Sequence, residues 1–191
     1  LIFSCVLGAD ALDYSKEKLN ILSVARFVPQ KDYITALMAI KVLKEGNVNF
    51  HYTMIGWGAQ EDKLAKLISD LNLKAEVTMV NAPGVLSEYF LLADIFLMTS
   101  VFEGTPNAIM EAMSYSLPVV ATNVGDCSRL VSQSVTGFLE EPGDYSGLAN
   151  SLLKLSHSVE LRNELGKKGF EKLNIEYNVE IFKKRYLEFI S

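Results

Sequence analysis

Three short segments of this 191-residue chain bring together residue types that can do chemistry. The first is Arg26-Phe27-Val28-Pro29-Gln30-Lys31, where two cations five residues apart flank a proline-stiffened turn. Placed just before a helix, such a turn suits a diphosphate. The helix N-terminus attracts anions, and Arg26 and Lys31 supply charge-assisted donors. Two solvated loop cations are the plain alternative. The second segment is Gly56-Trp57-Gly58. Paired glycines let a backbone approach a ligand closely, although a simple tight turn satisfies the same pattern. Trp57 has the shape to stack on a ligand, but a partly exposed packing role fits it better. The third segment runs from Ser100 through Phe102-Glu103-Gly104-Thr105-Pro106-Asn107 to Glu111, with Pro106 and Asn107 fitting a helix start.

Glu103 and Glu111 are eight residues apart, but spacing alone selects nothing. The chain holds 15 glutamates, and Glu180 and Glu188 repeat the interval. Context separates the first pair. Glu103 follows an apolar, strand-like run. Glu111 falls about one turn into an otherwise apolar helix, Ala108-Ile109-Met110-Glu111-Ala112-Met113, where a carboxylate needs partners. Vicinal ribose hydroxyls, donating two hydrogen bonds, are natural partners; a wet helix face is the bland explanation. Metal and nucleophile chemistry find little support. His51 and His157 have no Cys or acidic residue at ligand spacing and read as structural or exposed. Cys5 and Cys127 form no framework, which points to a reduced cytosolic setting. There is no P-loop, G-x-S-x-G elbow or G-x-G-x-x-G.

The elements that must position these residues alternate. Strands are expected at 20–25, 50–55, 76–80, 94–99, 118–122 and 137–140. Helices are expected at 32–45, 61–71, 87–93 (with Ser87 as N-cap), 107–116, 145–155, 159–173 and 179–190, with a single turn at 128–131. The strands are short and apolar throughout, as strands covered on both faces must be. The fold class is therefore α/β, a doubly wound parallel sheet with helices on both faces. Ligands of such sheets sit at the carboxyl ends of the strands, which selects the loops 26–31, 56–60, 81–86, 100–107 and 123–126.

Composition sets the outer limits. Hydrophobic residues make up 49% and charged residues 21%, with 12 Gly and 5 Pro, so a sizeable core is expected and disordered or fibrous classes are excluded. A net charge of −5 gives no electrostatic footprint for nucleic acid. The longest apolar run, 89–98, is broken by Asp94, so no segment is expected to span a bilayer, and no basic amphipathic stretch announces membrane docking. The chain opens at Leu1 directly into strand-like sequence, without a leader pattern, and reads as a piece of something longer.

Taken in order, the loops resemble the nucleotide-sugar-binding, C-terminal half of retaining glycosyltransferases of the two-domain GT-B architecture, the glycosyl transferases group 1 family. Seven segments match in register between Gly8 and Asp144. Gly8-Ala9-Asp10 is similar to the family's Gly-Val-Asp. Val24-Ala25-Arg26-Phe27-Val28-Pro29-Gln30-Lys31 resembles its Val-Gly-Arg-Leu-Val-x-x-Lys phosphate loop, and Ile55-Gly56-Trp57-Gly58 its Val-Gly-x-Gly. Ala93-Asp94-Ile95-Phe96-Leu97-Met98-Thr99-Ser100 resembles Ala-Asp-Val-Phe-Val-x-Pro-Ser. The segment from Phe102 to Met113 resembles the E-x7-E signature in its Gly-Thr-Pro-Asn variant. Pro118-Val119-Val120-Ala121-Thr122-Asn123-Val124-Gly125 and Gly137-Phe138-Leu139 complete the series. The chain departs from the pattern at Ala25, where glycine is common, at Thr99, where proline is common, at Leu7, where Asn is frequent, and at Asp126-Cys127, where a small or apolar pair is usual.

The resemblance implies roles. Arg26 and Lys31 would hold the donor diphosphate and stabilise the leaving nucleoside diphosphate, and Glu103 would face the donor sugar; these three form the catalytic set. Glu111 would bind the ribose hydroxyls. Gly56, Gly58, Gly104 and the backbone of Thr105, Pro106 and Asn107 would line the donor, and Asn81 and Ala82 would lie beside the base. The full-length enzyme would be a hexosyltransferase that retains configuration, needs no metal or other cofactor, and takes a glycan or lipid-linked acceptor through an N-terminal half this chain lacks. It would be cytoplasmic, or peripheral at the inner membrane face. By this reading residues 1–19 link the domains, 20–174 form the nucleotide-sugar domain, and 175–191 form a helix packing toward the missing half. The fragment would fold but not transfer sugar, and loss of either loop cation would barely change its stability. A non-catalytic nucleotide or phosphosugar-binding module and a GT-B epimerase or phosphorylase are the alternatives; no cofactor lysine for a phosphorylase is evident.

Overall fold

The computed structural model describes residues 18–81 and 85–177. Six strands form one parallel sheet: β1 (Leu19–Val24), β2 (Phe50–Ile55), β3 (Val77–Val80), β4 (Ile95–Met98), β5 (Val119–Thr122) and β6 (Gly137–Glu140). Seven helices accompany them: α1 (Tyr33–Glu45), α2 (Glu61–Asp70), α3 (Leu86–Leu92), α4 (Asn107–Ser114), α5 (Cys127–Leu130), α6 (Tyr145–Ser156) and α7 (Val159–Glu176). The strand order is β3-β2-β1-β4-β5-β6, with every pairing parallel, so the expected doubly wound class is the one observed.

The sheet is covered on both sides because its strands are apolar on both sides. Successive β1 residues serve opposite faces: Ile21 joins a core with α1, α2 and α6, and Leu22 joins a core with α3, α4 and α5. α7 links the two layers, with Leu165 in the first core and Leu173 packed against the second. All six residues of β2 are buried, including His51. Cys127 is a buried free thiol whose pKa burial pushes up; Cys5 lies outside the described residues.

Some helix starts are set by side-chain caps and others have none. α3 starts one residue before Ser87, with Val85 at the cap position and no side-chain cap, so Ser87 is inside the first turn rather than its N-cap. Leu86, the first helical residue, is half-buried against the second core. α1, by contrast, is capped by chemistry: Asp32, at φ +42, accepts from the Thr35 N–H at 3.3 Å and the Thr35 hydroxyl at 2.6 Å. The expected helix 179–190 and the segment Gly8-Ala9-Asp10 lie outside the described residues.

The sheet reverses its winding between β1 and β4. Ladder pairing there covers only Ile21 with Ile95 and Leu22 with Phe96. Toward their carboxyl ends the two strands separate, and Ser23 spans the gap. Its hydroxyl donates to the Leu97 carbonyl at 2.5 Å and meets the buried Tyr52 hydroxyl at 2.8 Å. Three strands are thereby tied together just below the place where a doubly wound sheet opens a crevice.

Candidate functional site

The crevice is a cleft of about 650 Å³. Its floor is apolar, made by Val24, Ile55 and Met98 from the ends of β1, β2 and β4. Arg26 and Lys31 line one part of it, Glu103, Thr105 and Asn107 another, and Trp57 and Leu86 a third. The structure therefore brings together residues from four of the loops that the strand-end rule selected.

Each polar group is held differently. Arg26 is exposed, and among the described residues no carboxylate pairs with it. Lys31 is not free. It ends a 3-10 turn, Pro29–Lys31, and its Nζ donates to Glu103 Oε1 at 2.5 Å, with the two side chains only 18% and 9% exposed. The buried Ser100 hydroxyl donates to the same oxygen at 2.5 Å. Glu103 Oε2 accepts from no described group, so one lone-pair-rich oxygen remains for a ligand hydroxyl. The Lys31–Glu103 pair corrects the expectation that Lys31 is a dispensable loop cation. Removing it would strand a buried carboxylate, which is costly.

Thr99 explains how a residue where the pattern favours proline still suits the site. Its hydroxyl donates to the carbonyls of Lys31 and Asp32, both at 3.0 Å, and so ties the end of the 26–31 loop to the end of β4. On the other side, Gln30 Nε2 donates to the Phe102 carbonyl at 2.8 Å, and the Val101 N–H to the Gln30 carbonyl at 2.9 Å. The 26–31 and 100–107 loops are one hydrogen-bonded unit.

The glycines serve this loop packing. Gly56 lines the cleft, but a Cβ there would lie 1.9 Å from the Ala25 carbonyl oxygen, so its first task is to let the ends of β1 and β2 touch. Gly58, at φ +152 against the Phe27 backbone, and the exposed Gly104 are not among the cleft-lining residues. A glycine that sequence reasoning named only within a motif matters more. Gly125, at φ +53, would place a Cβ 2.0 Å from the Glu103 carbonyl oxygen. Next to it, Asp126 receives the Thr105 hydroxyl at 2.9 Å, and its N–H donates to the Gly104 carbonyl at 3.2 Å. The 123–126 loop is thus the bed on which the Glu103 loop rests.

α4 begins with Pro106 at the cap position and Asn107 as its first residue. Pro106 carries no N–H, so the open donors at the cleft are the Asn107 and Ala108 N–H groups, which bond no described residue. Glu111 is half-buried on the same helix, does not line the cleft, and its carboxylate has no hydrogen-bond or ionic partner among the described residues. Burial accordingly raises its pKa above the ordinary carboxyl value. Asn81, exposed at the end of β3, spends its amide on Glu61 of α2 at 3.3 Å and also lies off the cleft wall. Ala82 falls outside the described residues. Among the described residues no three His, Cys, Asp or Glu side chains gather as a metal-binding group, and no helix is long and apolar enough to cross a membrane.

Residues 10–172 match the family described as Glycosyl transferases group 1. This chain belongs to that family. Among curated relatives it is 38% identical over 152 residues to the amylovoran biosynthesis glycosyltransferase AmsK of Erwinia amylovora, covering 75% of this chain and 37% of AmsK. It is 33% identical over 175 residues to the putative colanic acid biosynthesis glycosyltransferase WcaL of Escherichia coli K12, covering 85% of this chain and 42% of WcaL. A solved structure of a point variant of S. aureus TarM, in complex with fondaparinux, alpha-GlcNAc-glycerol and UDP, matches with a TM-score of 0.84 and 26% identity, over 96% of this chain and 37% of TarM. The group 1 chain described here thus spans about two fifths of the length of these relatives.

Proposed function

We propose that this group 1 domain is the donor-binding half of a glycosyltransferase that moves a hexose from a nucleoside diphosphate to a glycan or lipid-linked acceptor, with retention at the anomeric carbon. The observation that carries the reading is the meeting, in one cleft at the β1/β4 switch point, of Arg26, the Lys31–Glu103 pair and the open N-terminus of α4. A diphosphate leaving group gains negative charge as its bond to the sugar breaks. Lys31 and the Asn107 and Ala108 N–H groups are fixed donors for that charge, Arg26 is an unpaired cation free to turn toward it, and none of them needs a metal ion to act. Glu103 Oε2 would accept a hydroxyl of the donor sugar. The UDP bound to TarM and the polysaccharide pathways in which the relatives are named favour the same reading. The acceptor would be held by the part of the relatives that this chain does not span, and the whole enzyme would work in the cytoplasm, at or near the inner membrane face.

In this reading the ribose lies at the rim of the cleft beside α4, where the solitary carboxylate of Glu111, itself off the cleft wall, receives the 2′ and 3′ hydroxyls. Its pH behaviour then has a fixed sign. Burial raises the Glu111 pKa above 4.5, so the native state holds this proton more tightly than the unfolded chain does. The charged form lowers stability at neutral pH, and the hydroxyl donors need that charged form. Glu111→Gln is therefore expected to raise thermal stability at pH 7 while weakening UDP-sugar binding by roughly 1–3 kcal/mol. Wild-type affinity should fall as pH drops from neutral through the Glu111 titration, and the variant's should stay flat. The 2′-deoxy and 3′-deoxy donors should be penalised in the wild type only. Calorimetric titrations that find the same pH profile and the same deoxy penalty in both proteins would remove Glu111 from the site.

Arg26→Ala has a simpler expectation. Exposed and unpaired, Arg26 contributes to stability within about 0.5 kcal/mol, whereas one charge-assisted contact to a diphosphate is worth about 1.5–3 kcal/mol. Unchanged melting with weakened pyrophosphate and nucleotide-sugar binding is the predicted pair of results; equal affinity for wild type and variant would make Arg26 a solvated loop cation.

A further inference from the structure

The cleft has two chemical ends, and only one of them is used by the charges. Arg26, Lys31, Glu103 and the start of α4 make the polar end. The other end is Trp57, Ile55 and Leu86, on the β2 side of the sheet. Trp57 is 60% exposed, and of the exposed large apolar side chains among the described residues it alone lines the cleft. Its indole N–H donates to no described group. Yet its backbone is firmly held. The Trp57 carbonyl accepts from the Phe27 N–H at 2.7 Å, and the Gly56 N–H donates to the Val80 carbonyl at 3.0 Å. On either side Gly56 and Gly58 press against the Ala25 and Phe27 backbones, where any Cβ would collide. A large ring on a clamped backbone, 60% exposed at the cleft wall, forgoes most of its own burial and is open to a ligand.

We propose that Trp57 is the stacking platform for the heterocyclic base of the donor nucleotide. This rests on the donor-binding reading above and adds a residue to it. With a diphosphate at Arg26 and Lys31 at the end of β1, and a sugar at Glu103 at the end of β4, the remaining direction along the sheet edge leads to β2. The apolar end there offers a planar base a ring to cover and aliphatic neighbours, and stacking on it tolerates any base because every base has a π face.

Trp57 is the only tryptophan in the chain, so its emission reports this contact without ambiguity. UMP, UDP, UDP-glucose and inorganic pyrophosphate are titrated into wild type, Trp57→Phe and Trp57→Ala, with binding followed by calorimetry and, in the wild type, by fluorescence. The expected result is saturable quenching by UMP, UDP and UDP-glucose alike and none by pyrophosphate. Trp57→Ala should bind UDP about tenfold more weakly, Trp57→Phe should stay within about threefold of wild type, and pyrophosphate affinity should not change. Quenching that requires the glucose makes Trp57 a sugar contact and overturns the proposal. So does UDP binding that is indifferent to Trp57→Ala, and so does equal loss of UDP and pyrophosphate affinity, which marks a structural residue; all three leave the donor-binding reading standing. A wild type that binds none of these ligands overturns both.

Discussion

Gly125→Ala is expected to lower the melting temperature by about 6–12 °C and to abolish measurable nucleotide-sugar binding, although Gly125 does not line the cleft. Two costs combine. Alanine at φ +53 is strained, and its Cβ falls 2.0 Å from the Glu103 carbonyl oxygen and within 2.9 Å of that of Gly104. Left-handed backbone strain and overpacking each cost roughly 1–3 kcal/mol, or about 3 kcal/mol together where the loop yields partly, and a domain of this size loses about 2–4 °C per kcal/mol. The loop that yields is the one carrying Glu103, Thr105 and the start of α4, so the loss in binding should exceed the loss in stability. Gly104→Ala is the control, since a Cβ there meets nothing within 4 Å. Calorimetric melting and donor titration of the two variants check this directly. If Gly125→Ala melts and binds like wild type, the 123–126 loop does not support the site.

The second large effect concerns Lys31. Lys31→Ala is expected to destabilise the fold by about 3 kcal/mol, the low end for breaking a buried ion pair, because it leaves the Glu103 carboxylate unpaired at 9% exposure. It should also weaken pyrophosphate binding by roughly 1.5–3 kcal/mol. The two losses separate in a double variant. Lys31→Met with Glu103→Leu removes both charges and should recover most of the stability, since apolar replacement of a buried pair is often neutral. It should recover none of the pyrophosphate affinity. A Lys31→Ala protein with wild-type stability, or a double variant that still binds pyrophosphate at full strength, would contradict this account of the pair.

What the sequence made legible was local. The four- to six-residue apolar strands announced a doubly covered parallel sheet because burial on both faces leaves no room for alternation. Arg26, Lys31 and Glu103 stood out because each sits at a strand end, and strand ends of such a sheet converge. What it hid was contact across long sequence distances. The Lys31–Glu103 pair and the Gln30–Phe102 bond both join residues 72 positions apart and exist only because β1 and β4 become neighbours. Gly125 gave a turn signal, but nothing local says that the backbone over it belongs to Glu103. The family pattern places Asn81 beside the base, yet its amide is committed to Glu61, an exposed pairing that no motif encodes. Ser87 has the chemistry of a cap, yet the helix begins one residue earlier, at Leu86, which packs against the second core. For Trp57 the sequence allows either stacking on a ligand or partly exposed packing; its 60% exposure and its place in the cleft wall are visible only in the fold.

The central claim is that this cleft binds a nucleoside diphosphate sugar through its own cations. Its most direct test is calorimetric titration of the chain with UDP-, GDP- and ADP-hexoses in EDTA, with the free hexose and inorganic pyrophosphate as the two partial ligands. The account predicts saturable one-to-one binding of at least one nucleotide sugar in the chelator, weaker binding of pyrophosphate, and none of free hexose. Binding of the donors only after magnesium is restored, or no binding of any nucleotide sugar alongside full binding of free hexose, would contradict it.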